Sequence, residues 1–176
     1  MGCGSENSSG GVYAFDLAGT RVDPLKSSKA KAAVLLFVYS ECPISNRYAP
    51  VVRRLHDKFS SKGVVFWLIY TDPKETVDGI KKHLEEYDYP CGALHDPHHE
   101  LVKMTGVQVT PEAAVYDSSG ELAYRGRIDD LYVDFGKKRA AASTHDLKDA
   151  IEATLAGEPL AVTRTKAIGC FIADMI

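Results

Sequence analysis

Cys42 marks the point where an apolar run gives way to a helical pattern, and this junction constrains the fold more than any other feature of the chain. Residues 32–38, just before it, are apolar throughout and have the length of a buried strand. Pro43 follows, and a proline suits the first turn of a helix because its backbone is pre-organised for that position. The N-terminus of a helix carries a partial positive charge that stabilises a thiolate. The junction therefore predicts a reactive thiolate at Cys42, suited to attack a disulfide or a peroxide.

Strands and helices alternate along most of the chain. Besides the strand at 32–38, the sequence predicts a hairpin at 12–22, a helix at 45–59, a strand at 64–70, a helix at 76–87, a helical turn at 100–105, strands at 112–117 and 121–127, and a helix at 144–156. This order predicts a three-layer α/β domain with a mixed central sheet and an N-terminal hairpin extension. We expect a disordered tail at 1–11, the domain at 12–157 and an irregular tail at 158–176. Residues 129–142 are expected to form a surface loop.

Composition narrows the class of partner. The chain has 176 residues, 45% hydrophobic and 26% charged, which suits one globular domain. The net charge of −3 argues against nucleic acid or an anionic membrane as the main partner. No apolar run reaches the ~18 residues that a membrane helix needs, so no transmembrane segment is expected. The four cysteines are too few and too scattered for a disulfide-stapled scaffold and form no close pair typical of zinc sites.

The first residues are small and polar, and we expect a tail without a signal peptide there. Cys3, followed by Gly, Ser and Asn within a few residues, resembles the start of a mature bacterial lipoprotein. That resemblance implies a lipid anchor through Cys3 and an extracytoplasmic, periplasmic location. The alternative is a flexible tail with an incidental cysteine. The pattern for N-myristoylation fails because Glu6 stands where Ser or Thr is needed.

Four short motifs resemble those of one protein family. They lie at Cys42–Asn46, Thr110–Glu112, Tyr124–Asp130 and Gly169-Cys170. With the order of the elements, they resemble the redoxin group of the thioredoxin fold, which includes AhpC/TSA-type peroxiredoxins and thiol–disulfide oxidoreductases. The resemblance covers residues 12–156. It implies a redox-active Cys42, a cis Pro111 after Thr110 in a loop that faces Cys42, and an external thiol reductant, either thioredoxin-like or a membrane thiol donor.

The chain departs from the family patterns in two ways. A thioredoxin has a second cysteine three positions after the first, and here that position is Ser45. A typical peroxiredoxin has a Thr or Ser three residues before its cysteine and a Pro seven before, and here these are Tyr39 and Leu35. The local dithiol and the usual peroxide-binding hydroxyl are therefore both absent, although Ser40 is near. A disulfide protein and a hydroperoxide both stay open as substrates.

Two side chains are candidates to stabilise the Cys42 thiolate. Ser45 lies one turn into the helix, where its hydroxyl either donates a hydrogen bond to the sulfur or is an ordinary first-turn serine. Given the implied loop, the hairpin returns Arg127 towards Pro111, which makes Arg127 the candidate cation for a thiolate or a bound peroxide. Asp129 or Asp130 would orient it. A surface ion pair is the alternative, and Arg125 is expected to share the face of Arg127.

Cys170 is the leading candidate for a resolving thiol. The tail from Gly157 has about 13 links and reaches roughly 43 Å if extended. A domain of this size has a radius of gyration near ~16 Å, so the tail can reach Cys42. Docking of an apolar tail segment on the core is the alternative for Cys170. Cys91 follows Pro90 and is expected to be a buried structural thiol.

Three histidines lie close together at His95, His98 and His99. Clustered histidines raise the possibility of a metal site. The copper-handling proteins of the Sco type share the thioredoxin fold, but they need a second cysteine four positions after the first, and here that position is Asn46. We therefore expect a solvated loop here.

The sequence predicts a thiol-based redox protein without a cofactor or a metal. Cys42 attacks a disulfide or a hydroperoxide, and Cys170 or an external thiol resolves the product. Within enzymes, the alternative is a one-cysteine peroxidase. Outside them, it is a binding module that holds copper or a partner protein through Cys42 and the histidine loop.

Overall fold

The computed structural model describes residues 11–27 and 29–172. Residues 1–10 of the predicted tail, which include Cys3, lie outside these residues. The strands are β1 Ala14–Phe15, β2 Arg21–Val22, β3 Ala32–Val38, β4 Val64–Tyr70, β5 Gly92–His95, β6 Val109–Thr110, β7 Glu112–Asp117, β8 Leu122–Gly126, β9 Tyr132–Asp134, β10 Lys137–Lys138 and β11 Cys170–Phe171. The helices are α1 Pro43–Arg47, α2 Ala49–Phe59, α3 Val77–Glu86, α4 Glu100–Thr105 and α5 Asp146–Ala156, with a 3-10 turn at Ser60–Lys62.

Seven strands form one mixed sheet in the order β2-β1-β5-β4-β3-β7-β8. The central strands β3, β4 and β5 are parallel, and the strands at both sides pair antiparallel. The long apolar runs become β3 and β4 because a parallel strand covered on both faces has no polar side to present to water. The predicted α/β fold with a mixed central sheet is confirmed.

Two cores lie on opposite faces of this sheet. On one face, Val34 and Leu36 of β3 pack with apolar side chains of α1, α2, α3 and α5. On the other face, Leu35 and Phe37 pack with α4 and with Ile172 near the end of the described chain. Alternate residues of one strand therefore feed different cores, as the two-residue period of a strand requires.

Two helix boundaries differ from the prediction. The helix predicted at 45–59 is divided at Tyr48, which ends α1 and begins α2. Pro50 explains the division, because its nitrogen has no hydrogen to donate to the preceding turn. The last helix begins at Asp146 rather than 144, since the backbone N–H groups of Ser143 and Thr144 donate to the carboxylate of Asp130 instead.

The loop predicted at 129–142 contains a small antiparallel pair, β9 with β10. The tail predicted to be irregular also contains a strand, because β11 pairs antiparallel with β6 and sets Cys170 opposite Thr110. The apolar alternation that identifies a strand is too short to detect in segments of two residues. Both corrections therefore concern strands that are defined by their partner and not by their own sequence.

Backbone hydrogen bonds attach the tail to the domain at two places. Thr165 donates from its N–H to the carbonyl of Arg125 at 3.1 Å, and Arg125 donates to the carbonyl of Thr163 at 3.0 Å. Further along, the N–H of Ile172 donates to the carbonyl of Gln108 at 3.1 Å. The tail segment 163–172 is therefore an integral part of the fold around β6 and β8.

Leu68 offers a test of this core. Replacing the fully buried Leu68 with Ala is expected to lower the free energy of unfolding by about 2–5 kcal/mol, because it removes apolar contacts and leaves a cavity. Leu122→Ala, at a side chain that is 45% exposed, is the matched control and should change it by less than about 0.5 kcal/mol. Urea unfolding measures both variants. Equal losses in the two would contradict the assigned core.

Candidate active site

Cys42 lies at the N-terminal boundary of α1, where the sequence predicts it. Its backbone is extended, with φ −79° and ψ 111°, and Pro43 begins the helix. The N–H of Asn46 donates to the Cys42 carbonyl at 3.0 Å and closes the first turn. However, α1 has only five residues. A helix this short contributes little dipole, so nearby hydrogen bonds must provide most of the thiolate stabilisation.

The sulfur of Cys42 lies 2.7 Å from the sulfur of Cys170 and 3.2 Å from the carbonyl oxygen of Thr110. The pairing of β11 with β6 produces this contact. The peptide bond between Thr110 and Pro111 is cis. Thr110, Pro111 and Cys170 are thus brought to the sulfur of Cys42, which is fully buried beneath the tail.

Opposing effects act on the pKa of Cys42. Burial raises it by disfavouring the charged sulfur, but donors close to the sulfur together hold the pKa below its ordinary value: the Cys170 thiol first, then the backbone and hydroxyl of Ser45 and the backbone of Cys170. The Ser45 hydroxyl is buried and forms no well-aligned hydrogen bond among the described residues. It is therefore available to donate to the thiolate.

The pKa of Cys170 moves in the opposite direction. Burial raises it to about 12, aided by the hydrogen bond that its thiol donates to Cys42 and by repulsion from the Cys42 thiolate. These directions favour Cys42 as the first of the two thiols to ionise and Cys170 as the one that keeps its proton. Cys91, in contrast, has its pKa raised to about 12 by burial alone, as expected of an unreactive structural thiol.

A buried polar network supports the loop before Cys42. Asn46 donates from its amide to the carbonyl of Ser40 at 2.8 Å, which leaves its oxygen to accept from Nε2–H of His83 at 2.8 Å. His83 then accepts at Nδ1 from the hydroxyl of Tyr70, also at 2.8 Å. The N–H of Ser40 donates to Glu75 at 2.9 Å. The loop is therefore fixed through both the N–H and the carbonyl group of Ser40.

His83 and Glu75 were not identified as site residues from the sequence. The apolar spacing of the helix placed His83 on its buried face, and Asn46 belongs to the cysteine motif, so a signal for this network was present. Burial lowers the pKa of His83, against a smaller opposing effect of Glu86. Burial likewise raises the pKa of Glu75.

The structure does not bring the predicted cation to the sulfur. The guanidinium of Arg127 donates from Nε to Asp146 at 2.9 Å, and its hydrogen bonds within the described residues do not include Cys42. Arg125 points elsewhere, with Nε 3.6 Å from Glu112 and Nη1 donating to the carbonyl of Gly106. The two arginines do not share a face because β8 ends between them. The role proposed for Arg127 therefore stays a prediction without support from these contacts.

The predicted orienting carboxylates also have other partners. Asp129 accepts from the hydroxyl of Tyr48 at 2.6 Å. Asp130 accepts from Ser143 and Thr144 and lies 3.3 Å from Arg139. Both residues therefore organise the segment that leads to α5.

The three histidines point to separate partners. His95 contacts the carbonyl oxygen of Asp72 through Nε2 at 2.9 Å, and buried His99 contacts that of Thr71 at 2.7 Å. His98 packs edge-on against Phe15. Within residues 11–27 and 29–172, no group of three or more metal-ligating side chains is close enough to hold an ion. His99 is therefore part of the packed interior, which corrects the expectation of a fully solvated loop.

Comparison with known proteins identifies the family of this chain. A model of the AhpC/TSA family matches residues 12–125. The chain belongs to the AhpC/TSA family. One curated relative of this AhpC/TSA protein is thiol-disulfide oxidoreductase ResA of Bacillus thuringiensis subsp. konkukian, 29% identical over 107 residues, or 61% of this chain and 60% of the relative. The matched region thus spans about three fifths of the length of that relative.

Solved structures extend the likeness of this AhpC/TSA chain to most of its length. An uncharacterised conserved protein from Geobacillus kaustophilus is 26% identical with a TM-score of 0.77, over 91% of this chain and 86% of that one. A secreted Mycobacterium tuberculosis disulfide oxidoreductase homologous to E. coli DsbE is 20% identical with a TM-score of 0.57, over 84% and 96%. The predicted family and thioredoxin-like fold are confirmed. In the part of the chain that the structure describes, no helix is long and apolar enough to cross a membrane.

Ser45→Ala tests the hydrogen bonds to the thiolate. Removing the hydroxyl is expected to raise the pKa of Cys42, because a hydrogen bond to a charged group contributes ~1.5–3 kcal/mol. Thiolate absorbance near the ultraviolet edge, followed against pH, measures the change. Cys42→Ser identifies which part of the signal belongs to Cys42. An unchanged titration in Ser45→Ala would exclude this role.

His83 predicts acid sensitivity. Its folded pKa lies below the 6.5 of an exposed histidine, so below that pH the unfolded chain binds a proton that the folded protein does not. The free energy of unfolding should therefore fall as pH drops below 6.5, by at most ~1.4 kcal/mol per pH unit from this group. His83→Gln keeps a donor and an acceptor but cannot titrate. Urea unfolding at several pH values should show a shallower slope for this variant, and identical slopes would contradict the prediction.

Proposed function

We propose that this protein is a thiol–disulfide oxidoreductase in which Cys42 and Cys170 alternate between a dithiol and a disulfide. The observation that carries the proposal is the 2.7 Å separation of the two sulfur atoms on segments that are distant in sequence. The lowered pKa of Cys42 and the raised pKa of Cys170 assign the roles of nucleophile and resolving thiol. The relative named thiol-disulfide oxidoreductase adds support from outside the chain.

The proposed cycle begins with attack by Cys42. Its thiolate displaces one sulfur of a partner disulfide, which leaves as a thiolate, and a mixed disulfide forms on Cys42. Cys170 then loses its proton and attacks the sulfur of Cys42, which releases the second partner thiol and closes the Cys42–Cys170 disulfide. The partner is thereby reduced by two electrons. An external thiol reductant restores the two cysteines.

The first step also activates the second. Two of the three causes that raise the pKa of Cys170 are its hydrogen bond to Cys42 and the charge of the Cys42 thiolate. Both causes disappear once Cys42 carries a mixed disulfide, because its sulfur is then neutral and a weak acceptor. Cys170 therefore becomes easier to deprotonate at the stage when it is needed. Ser45 and the Thr110-Pro111 loop would position the sulfur of Cys42 throughout.

Access to Cys42 requires a local opening of the tail. The sulfur is fully buried, and β11 covers it through a strand of only two residues. A short strand with few hydrogen bonds opens more readily than the central sheet. Lifting β11 would expose Cys42 to a protein disulfide while leaving the domain folded.

Hydroperoxide reduction is the second candidate function. Membership of the AhpC/TSA family favours it, and a peroxide needs a smaller opening than a protein to reach a buried sulfur. Cys42 would be oxidised to a sulfenic acid, water would leave after attack by Cys170, and the same disulfide would result. Tyr39 stands where a peroxide-binding hydroxyl is usual, which counts against this reaction.

The proposed setting is extracytoplasmic. A stable cysteine pair suits an oxidising compartment. The Mycobacterium tuberculosis protein of similar fold is described as secreted. The suggestion of a lipid anchor at Cys3 concerns a residue outside the described ones and rests on its sequence context alone.

One experiment separates these functions. The reduced protein is mixed with equimolar protein disulfide or with equimolar hydrogen peroxide, and peptide mapping follows the formation of the Cys42–Cys170 disulfide. We expect it with both oxidants, with the faster rate for the protein disulfide. Cys42→Ser should abolish the reaction, and Cys170→Ser should stop it at a mixed disulfide or a sulfenic acid on Cys42.

Cys91→Ser is the matched control and should react like the wild type, because Cys91 is buried and protonated. A faster reaction with peroxide would assign the second function instead. Full activity in Cys42→Ser would contradict both disulfide exchange and hydroperoxide reduction at Cys42. Tight uptake of copper without any change at Cys42 would favour a binding module.

A further inference from the structure

The two sulfurs of the proposed disulfide differ in their access to solvent. Cys42 is fully buried, whereas Cys170 is half-buried on the outer strand β11. The next residue, Phe171, is 78% exposed. With β11 docked, an attacking thiol therefore meets Cys170 first.

An open groove of about 850 Å³ lies beside Cys170. Its walls come from β6, from the turn after β9 and from the tail segment 164–171. Phe135 and Phe171 line it, and these are the two most exposed large apolar side chains among the described residues. Exposed aromatic side chains beside a reactive sulfur indicate a surface that contacts a partner.

The charged side chains of this groove favour a negatively charged ligand. The exposed cations Arg164 and Lys166 line it, and neither forms an ion pair within 4.0 Å of a carboxylate in the described part of the chain. The acids there are exposed Asp134 and buried Glu112, and Glu112 is paired with Arg125 at 3.6 Å and also feels the charge of Arg164. The nucleophile in disulfide exchange is a thiolate, so the excess of positive charge near Cys170 would increase its local concentration.

We propose that the external thiolate that regenerates the oxidised protein enters this groove and attacks Cys170, so that Cys42 is the leaving group. This inference rests on the proposed Cys42–Cys170 disulfide. The incoming thiolate forms a bond to the Cys170 sulfur, the bond between the two cysteines breaks, and its electron pair stays on Cys42 as the thiolate. A second external thiolate then attacks the incoming sulfur and releases Cys170, which takes up a proton. The external dithiol leaves oxidised by two electrons.

Two features of the site support this direction of attack. A thiol of lower pKa leaves faster. With Cys170 bonded to the incoming sulfur, its thiol no longer donates to Cys42, but the Ser45 backbone and hydroxyl and the Cys170 backbone remain to lower the pKa of Cys42. The leaving sulfur also has a donor close by, since the Ser45 hydroxyl is buried without a hydrogen-bond partner in the described residues and is free to donate to the new thiolate. Attack on Cys42 would instead release Cys170, whose environment disfavours a thiolate, and would require β11 to lift first.

The test locates the first mixed disulfide. Oxidised protein is mixed with 2-mercaptoethanol or with a thioredoxin whose second active-site cysteine is replaced by serine, then quenched with N-ethylmaleimide. Peptide mapping by mass spectrometry identifies the cysteine that carries each adduct. We expect the adduct on Cys170 and the maleimide on Cys42, by about tenfold or more over the reverse, because the better leaving group decides the exchange.

A charge variant tests the groove. Arg164→Gln with Lys166→Gln should slow the thioredoxin reaction a few-fold at low salt and weaken its salt dependence. Lys81→Gln with Lys82→Gln, which removes two exposed cations of α3 outside the groove, is the control and should have no effect. If the charge variant slows reduction by thioredoxin much more than reduction by 2-mercaptoethanol, the groove binds a protein thiol.

Three results would overturn the inference. An adduct mainly on Cys42 would show that attack occurs there while leaving the Cys42–Cys170 disulfide intact as a proposal. Equal rates in both charge variants would remove the groove from the path. Failure of any Cys42–Cys170 disulfide to form would overturn the proposed function itself, and is detected before thiol is added.

Discussion

The antiparallel pairing of β11 with β6 is the contact on which the candidate site depends. It sets Cys170 opposite Thr110 and thereby against the sulfur of Cys42. Gly169 makes the approach possible, because a Cβ at that position would collide with the carbonyl group of Thr110. Gly126 has the same role further back, where a Cβ would collide with Thr165. The Gly-Cys motif near the C-terminus thus has a steric explanation: the glycine permits the approach that the cysteine uses.

Around this contact, hydrogen bonds lower the pKa of Cys42, an effect that a longer helix would produce through its dipole. Burial alone would raise the pKa of Cys42, and α1 is too short to oppose it with a strong dipole. Donors from Ser45 and Cys170 reverse the balance. Because one of those donors is Cys170, the pKa of Cys42 depends on whether the tail is docked. Opening the tail would expose the sulfur of Cys42 and at the same time remove one of its stabilising partners.

How much of this arrangement was accessible from the sequence depends on the range of each interaction. The strands β3 and β4 and the position of Cys42 were predicted because their signals are local and apolar. Pro50, which divides α1 from α2, was also a local signal and was overlooked. The contact between Cys42 and Cys170 could not be predicted firmly from the sequence. Chain length shows that the tail is long enough to reach Cys42, but it does not determine where the tail docks. It required the register of two-residue strands, which no periodicity in the sequence reveals.

The expectation for Arg127 failed to gain support for a different reason. It assumed that strand alternation continues past Tyr124, whereas β8 ends at Gly126. Beyond that point, Asp146 at the start of α5 provides a carboxylate 2.9 Å from Nε of Arg127. Arg127, which lies just outside β8, therefore pairs with this carboxylate and not with the sulfur of Cys42. Arg125, which lies inside β8, lines the groove beside Cys170 instead, and its Nε lies 3.6 Å from Glu112.

The proposed disulfide between Cys42 and Cys170 would also link redox state to folding. A disulfide between positions 128 residues apart would restrict the unfolded chain far more than one between near neighbours. Loop entropy alone contributes about 5 kcal/mol at this separation, in the simple chain model. A bond that stabilises the folded protein is, by the same cycle, harder to reduce in the folded protein than in the unfolded chain.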